Sequence, residues 1–204
     1  MRIGILGGSF NPIHYGHLLM AENCREACRL DAIWFIPAAV SPYKTGQPSA
    51  TATARLEMAQ LAVAGNPQFH VSEIEIERGG ISYTVETLSG IHASQPEAEL
   101  FFLMGADSLV DFPSWRDPQR ICQLATPVVV RRYGTDEPDW QPLRALVDEA
   151  QWQRVRAFQT DMPRVEISSS DIRARIADQR SIRYMTPRAV EKYIETHRLY
   201  VGAK

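Results

Sequence analysis

The sequence predicts an α/β protein built on a doubly wound parallel sheet, and three observations carry that expectation. Strand-like apolar runs alternate with helical patterns along nearly the whole chain, as in βαβ units whose helices cover both faces of a parallel sheet. The 204 residues, 45% hydrophobic and 23% charged, suffice for one well-buried domain and are short for two. The first apolar run, Ile3-Gly4-Ile5-Leu6, opens into Gly7-Gly8-Ser9-Phe10-Asn11-Pro12-Ile13-His14-Tyr15-Gly16-His17, a strand, a glycine turn and a helix start in succession. A single domain over residues 1–204 is expected, ending in a small helical C-terminal portion.

The elements follow in order. The opening run sets a strand at Arg2–Leu6, and the pattern after the glycine turn sets a helix at Gly16–Arg29. Ala32–Ile36 reads as the second strand, with Trp34 expected in the core. Ala38–Thr51 carries Ser, Pro, Gly and Thr without apolar periodicity and reads as a loop or lid over the sheet's ligand edge. A helix at Ala52–Ala64, a strand at Phe69–Ile76 and a helix at Tyr83–Ala93 come next. Leu100–Met104 and Pro127–Val130 are apolar strands separated by a short helix at Pro118–Leu124. Gly134–Pro142 is polar and turn-rich and leads to a helix at Leu143–Gln153. Its Leu143, Leu146, Val147 and Ala150 fall at helical spacing, for packing or for an oligomer contact. A strand at Arg164–Ile167 and helices at Ser170–Asp178 and Pro187–Thr196 complete the chain.

Composition excludes some function classes. A formal net charge of −2 supplies no global basic field, which disfavours a nucleic-acid partner. No apolar run approaches the ~18–20 residues that span a bilayer, and the N-terminus runs straight into a strand, so a cytoplasmic protein without a membrane partner is expected. Three cysteines argue against a disulfide framework. Cys24 and Cys28 lie four apart, but no second Cys or His pair completes a zinc site, and reduced thiols in or near the core are expected.

The chemistry concentrates after strand ends. A glycine turn between a strand and a helix start is an anion site, because unpaired N–H groups point outward and the helix dipole favours negative charge. His14 and His17 straddle that helix start and can donate to phosphoryl oxygens, while Gly16 between them leaves room for a ligand. Ser168-Ser169-Ser170 supplies a serine N-cap and free N–H groups, with Arg173 one turn in. Lys44 on the flexible loop can fold over reacting phosphates. Gly105-Ala106-Asp107 ends a strand, where the carboxylate either meets ribose hydroxyls or caps a helix. Trp115 follows Phe112-Pro113 in a short loop and offers a ring face for stacking.

His14-Tyr15-Gly16-His17 after Gly7-Gly8-Ser9-Phe10 resembles the signature of the nucleotidyltransferase superfamily of adenylyl and cytidylyl transferases. Pro42-Tyr43-Lys44, Ser82-Tyr83-Thr84, Gly105-Ala106-Asp107-Ser108, Phe112-Pro113-Ser114-Trp115, Arg131-Arg132 and Ile167-Ser168-Ser169-Ser170-Asp171-Ile172-Arg173 follow in the order and near the spacing of bacterial nicotinate-nucleotide adenylyltransferases. The resemblance spans almost the whole chain and implies a Rossmann-like fold. It also implies transfer of AMP from ATP to nicotinate mononucleotide, with Mg²⁺ accompanying ATP.

Under that resemblance His14, His17, Lys44 and Arg173 are catalytic. Gly7, Gly8, Ser9, Phe10, His17, Gly105, Asp107, Ser169, Ser170 and Arg173 bind ATP. Asn11, Lys44, Tyr83, Thr84, Trp115 and Arg132 bind nicotinate mononucleotide, with main-chain N–H groups near Thr84 and Trp115 on the carboxylate and Arg132 on the phosphate. Two positions depart from the commoner pattern: Tyr43 stands where histidine is frequent and Asn11 where aspartate is frequent. The alternatives are nicotinamide mononucleotide or phosphopantetheine as acceptor, and a non-catalytic nucleotide-binding module.

Overall fold

A computed structural model describes residues 1–41 and 50–202. Its elements are β1 (Arg2–Gly8), α1 (Tyr15–Ala27), β2 (Ala32–Pro37), α2 (Ala52–Val63), β3 (Phe69–Val71), α3 (Ile74–Arg78), α4 (Thr84–Ser94), β4 (Glu99–Gly105), α5 (Pro118–Leu124), β5 (Thr126–Arg132), α6 (Gln141–Arg144), α7 (Glu149–Ala157), β6 (Thr160–Met162), α8 (Ser169–Ala177) and α9 (Arg188–Thr196). Single 3₁₀ turns at Ala106–Ser108 and Phe112–Ser114 follow β4.

The strands form one six-stranded sheet in the order β3-β2-β1-β4-β5-β6. Parallel registers set Arg2 beside Glu99, Phe101 beside Thr126 and Val130 beside Thr160. This is the doubly wound order, and it reverses between β1 and β4. β1, β2, β4 and β5 are nearly continuous apolar runs because helices cover both faces of a parallel sheet. Ile3, Ile33, Phe35, Ile36, Phe101, Val128 and Val129 are fully buried. Trp34, expected in the core, is partly exposed.

The chain falls into two compact units. One comprises Met1–Leu6, Met20–Trp34 and Tyr83–Arg164, and the other Gly7–Leu19, Phe35–Ser82 and Val165–Lys204. The expected loop at Ala38–Thr51 lies largely outside the described residues, as do Pro42, Tyr43 and Lys44 within it.

Three element predictions are corrected. Phe69–Ile76 holds a three-residue strand followed by α3, because the Ser72 hydroxyl accepts from Ile74 N (3.4 Å) and turns the chain. The last strand is β6 rather than Arg164–Ile167: Thr160-Asp161-Met162 finds ladder partners on β5, and Pro163 then offers no N–H to extend the ladder. The helix expected at Leu143–Gln153 is two, since Asp148 starts α7 with a capping box to Gln151. Leu143 and Val147 are buried, so packing occupies that face, while Ala150 is exposed.

The cysteines are free and buried, as expected. Burial pushes all three thiols up, Cys28 to about 11 and Cys122 to about 12, which leaves them unreactive at neutral pH. Among the described residues no helix is long and apolar enough to cross a membrane.

Candidate active site

In the second unit the site is built on the loop between β1 and α1. Gly7 is exposed with open space over its α-carbon, and Gly8 lies against the Phe10 ring. Phe10 itself is left-handed (φ 43°), a conformation that costs a non-glycine residue about 1–2 kcal/mol. Ring burial holds it there, with Phe35 at 5.9 Å and His17 edge-on at 5.1 Å.

The loop carbonyls are tied one after another by side chains from distant segments. Ser9 O accepts from Arg55 Nη1 (2.8 Å), Asn11 O from Arg173 Nη1 (2.8 Å), Pro12 O from Ser169 Oγ (2.9 Å) and Ile13 O from Thr186 Oγ1 (2.7 Å). Carbonyl oxygens facing an anion would repel it, so anchoring them to donors favours an anion-binding loop. Arg55 is buried, and its guanidinium also donates to Ala39 O (3.0 Å) and Ala50 O (3.3 Å). Asn11 is buried too, its Oδ1 accepting from Ala50 N (3.1 Å) and Tyr200 Oη (2.7 Å).

The two histidines stack, with ring centroids 3.8 Å apart. His14 caps α1: its carbonyl accepts from His17 N (2.9 Å) and Leu18 N (3.3 Å), and its own N–H donates to His17 Nδ1 (3.2 Å). His17 thus takes the place that Glu or Gln holds in a capping box. A donor into Nδ1 requires that nitrogen to be unprotonated, which puts the ring proton on Nε2. The capping bond therefore engages the Nδ1 edge of this ring. His14 is buried, and desolvation lowers its pKa to about 4, so it is a neutral imidazole at pH 7. Its Nδ1 has no hydrogen-bond partner among the described residues. The space expected over Gly16 belongs to this ring: a β-carbon there would lie 3.0 Å from His14 Nδ1 and Cε1.

The N-cap of α8 is Ser168, whose hydroxyl accepts from Asp171 N (3.0 Å). Ser169 and Ser170 are the first helical residues, and Arg173 Nη2 also reaches Ser170 Oγ (3.4 Å). Through Ser169 and Arg173 the start of α8 is bonded to the loop that leads into α1.

In the first unit, β4 ends at Gly105 with open space over its α-carbon. Asp107 lies inside the following 3₁₀ turn, and its exposed carboxylate pairs with Arg132 Nη2 at 3.2 Å. Arg131, one residue earlier on β5, is held by Asp161 (2.7 and 3.0 Å) and by Glu137, leaving Arg132 as the arginine of the pair that faces Asp107. Trp115 is half-buried, its ring 5.4 Å from Phe112 and 5.9 Å from Phe102 in edge-on packing. Its main-chain N–H is spent on Phe112 O (3.1 Å). Tyr83 starts α4 without a side-chain cap bond, and Arg116 lies over its ring at 4.6 Å. Thr84 is the first residue of that helix.

Sequence reasoning passed over Arg55, Thr186 and Tyr200. Arg55 left one signal, a charge at a buried register of α2 between Ala54 and Leu56. Thr186 and Tyr200 left none, because their partners lie 173 and 189 residues away in sequence.

Residues 5–175 match the family described as Cytidylyltransferase-like. A Roseiflexus sp. (strain RS-1) protein named "Probable nicotinate-nucleotide adenylyltransferase" is 49% identical, with 97% of each chain covered. A Thermus thermophilus protein of the same name is 47% identical over 98% of this chain and 100% of its own. A solved structure, Plasmodium falciparum nicotinic acid mononucleotide adenylyltransferase complexed with NaAD, shares the fold at TM-score 0.75 and 18% identity, covering 98% of this chain and 97% of that one. The chain belongs to the cytidylyltransferase-like family, among its nicotinate-nucleotide adenylyltransferases.

Proposed function

We propose that the protein transfers AMP from ATP to nicotinate mononucleotide, giving deamido-NAD and pyrophosphate. The observation that carries this reading is the loop over residues 9–13. Its carbonyls are tied by distant donors, two stacked imidazoles follow it, and two helix starts are bonded to it. Such a surface suits a polyphosphate.

An oxygen of the acceptor's phosphate attacks the α-phosphorus of ATP. A new P–O bond forms, the bond to the α–β bridging oxygen breaks, and pyrophosphate leaves with the electron pair. The attacking oxygen is already ionised near pH 7, so no strong base is needed. The protein's work is positioning and charge stabilisation. His17 donates from Nε2 to the α-phosphate and the leaving bridge, and neutral His14 donates its one N–H beside it. Gly7, Gly8, Ser9 and Phe10 line the phosphate path. Ser169, Ser170 and Arg173 take the β- and γ-phosphates, and Gly105 and Asp107 the adenosine ribose. Lys44 is assigned to neutralising charge on the reacting phosphates. Mg²⁺ accompanying ATP would neutralise charge on the triphosphate.

For the acceptor, the first-turn N–H groups of α4 at Thr84 receive the carboxylate beside Tyr83, Trp115 stacks on the pyridine ring, and Arg132 takes the phosphate. Asn11 supports this side through the loop it holds. Three buried thiols fit a reducing compartment, and we place the protein in the cytoplasm. Pyrophosphate release tests the reading, with ATP and each of nicotinate mononucleotide, nicotinamide mononucleotide and phosphopantetheine. Nicotinate mononucleotide is expected to be fastest. Turnover with another acceptor alone overturns the substrate assignment, and no turnover with any returns the chain to a binding module.

A further inference from the structure

We propose that Thr186 is a positioning residue for His17, acting through a single peptide group. The inference rests on the role given to His17 above. Thr186 is almost fully buried, and its hydroxyl donates to Ile13 O at 2.7 Å. That carbonyl belongs to the same planar peptide unit as the His14 N–H, which donates to His17 Nδ1 at 3.2 Å. One unbroken relay runs from Thr186 Oγ1–H through the Ile13–His14 peptide to the imidazole. Donation into a carbonyl polarises its peptide and makes the N–H on the far side a stronger donor. The relay thus reinforces the bond that keeps Nδ1 unprotonated and Nε2 carrying the proton.

The chain fastens this relay at a second point. Tyr15 N donates to Met185 O at 3.1 Å, so residues 185 and 186 lie along residues 13–15 and set the peptide's orientation. Thr186 immediately precedes Pro187, which starts α9, so the hydroxyl is carried on a rigid segment. A packing residue at this position would need only bulk. The hydroxyl aimed at one carbonyl is what the relay requires.

The test uses the full-length protein with Thr186→Val, a near-isostere without the hydroxyl, and Thr186→Ser, which retains it. The primary readout is the ¹⁵N chemical shifts of the His17 ring without ligand, which report its tautomer independently of activity. Thr186→Val is expected to shift the ring from the Nε2–H tautomer toward a mixture. It should also lower kcat about three- to tenfold, the effect of one hydrogen bond, with both KM values within about twofold. Thr186→Ser should restore both readouts. Unchanged His17 ring shifts in a folded Thr186→Val protein, or failure of serine to restore them, overturn the relay. Shifted rings with unaltered kcat support the relay and count instead against the catalytic role of His17. If valine prevents folding, Thr186→Ala is read in the same way.

Discussion

Arg173 Nη1 donates to the main-chain oxygen of Asn11 at 2.8 Å, so the arginine proposed to grip the tail of ATP also holds the glycine loop in place. Its removal should act twice. Arg173→Ala is expected to raise the KM for ATP and lower kcat together, by about tenfold to a hundredfold overall, with much less effect on the acceptor's KM. Arg173→Lys should recover part, because a single ammonium cannot serve a carbonyl and a phosphate as a planar fork does. Steady-state titration of both substrates checks this, and an unchanged ATP KM with unchanged kcat rules it out.

His17 uses its Nδ1 edge for capping, and two substitutions separate that use from the catalytic role proposed for it. His17→Ala should lose both, with kcat down ~10²–10³ and helix α1 weakened by about 1 kcal/mol. His17→Gln keeps an acceptor for the His14 N–H, as Gln does in a capping box, and should restore the thermal midpoint while recovering only part of kcat. Differential scanning calorimetry beside turnover measurements separates the two. Full turnover in folded His17→Ala discards the assignment.

Buried His14 makes stability depend on pH in a set direction. Its pKa is lowered to about 4 in the fold from an ordinary 6.5, so between those values the unfolded chain binds a proton that the native state does not. The native state is thus at full strength above pH 6.5 and loses roughly 3 kcal/mol as pH falls through 4. Urea denaturation of wild type and His14→Asn at pH 7.5, 5.5 and 4.5 isolates this contribution from the carboxylates. The asparagine variant should lose less stability over that range, and parallel curves exclude the effect.

The proposed placement of the acceptor at the start of α4 sets its choice, because main-chain donors there would be satisfied by a carboxylate and opposed by the NH₂ of an amide. Leaving buried groups unpaired costs ~1–3 kcal/mol each. Nicotinate mononucleotide should therefore exceed nicotinamide mononucleotide at least ten- to a hundredfold in kcat/KM. Trp115→Ala should weaken both acceptors alike, since ring stacking does not depend on the substituent. Comparable kcat/KM for the two acceptors on wild type removes the carboxylate pocket, and an unaltered acceptor KM in Trp115→Ala makes that ring a packing residue against Phe102 and Phe112.

Arg132 and Asp107 are both exposed and pair at 3.2 Å, an interaction worth at most about 1 kcal/mol that an incoming phosphate dianion can displace. Arg132→Ala is expected to raise the acceptor's KM about tenfold or more while the KM for ATP stays within about twofold. A larger change for ATP than for the acceptor reverses the assignment of the two substrates.

Local pattern by itself determined the sheet's main strands, the glycine loop and the serine-capped helix. Apolar runs as short as Ile3–Leu6 and Leu100–Met104, with turn residues marking their ends, read as strands buried on both faces. It failed where a nearby hydroxyl, proline or cap outweighed the run: at Ser72, at Pro163, and at Asp148, which opens a second helix. Only the tertiary structure decided what holds the site. His17 caps α1 while keeping a proton on Nε2, His14 fills the space over Gly16, and Thr186 and Tyr200 reach the loop from the far end of the chain. Periodicity records which face of an element is buried. A hydrogen bond between residues 173 or 189 positions apart leaves no periodic trace, because its partners are chosen by the fold that brings them within 3 Å.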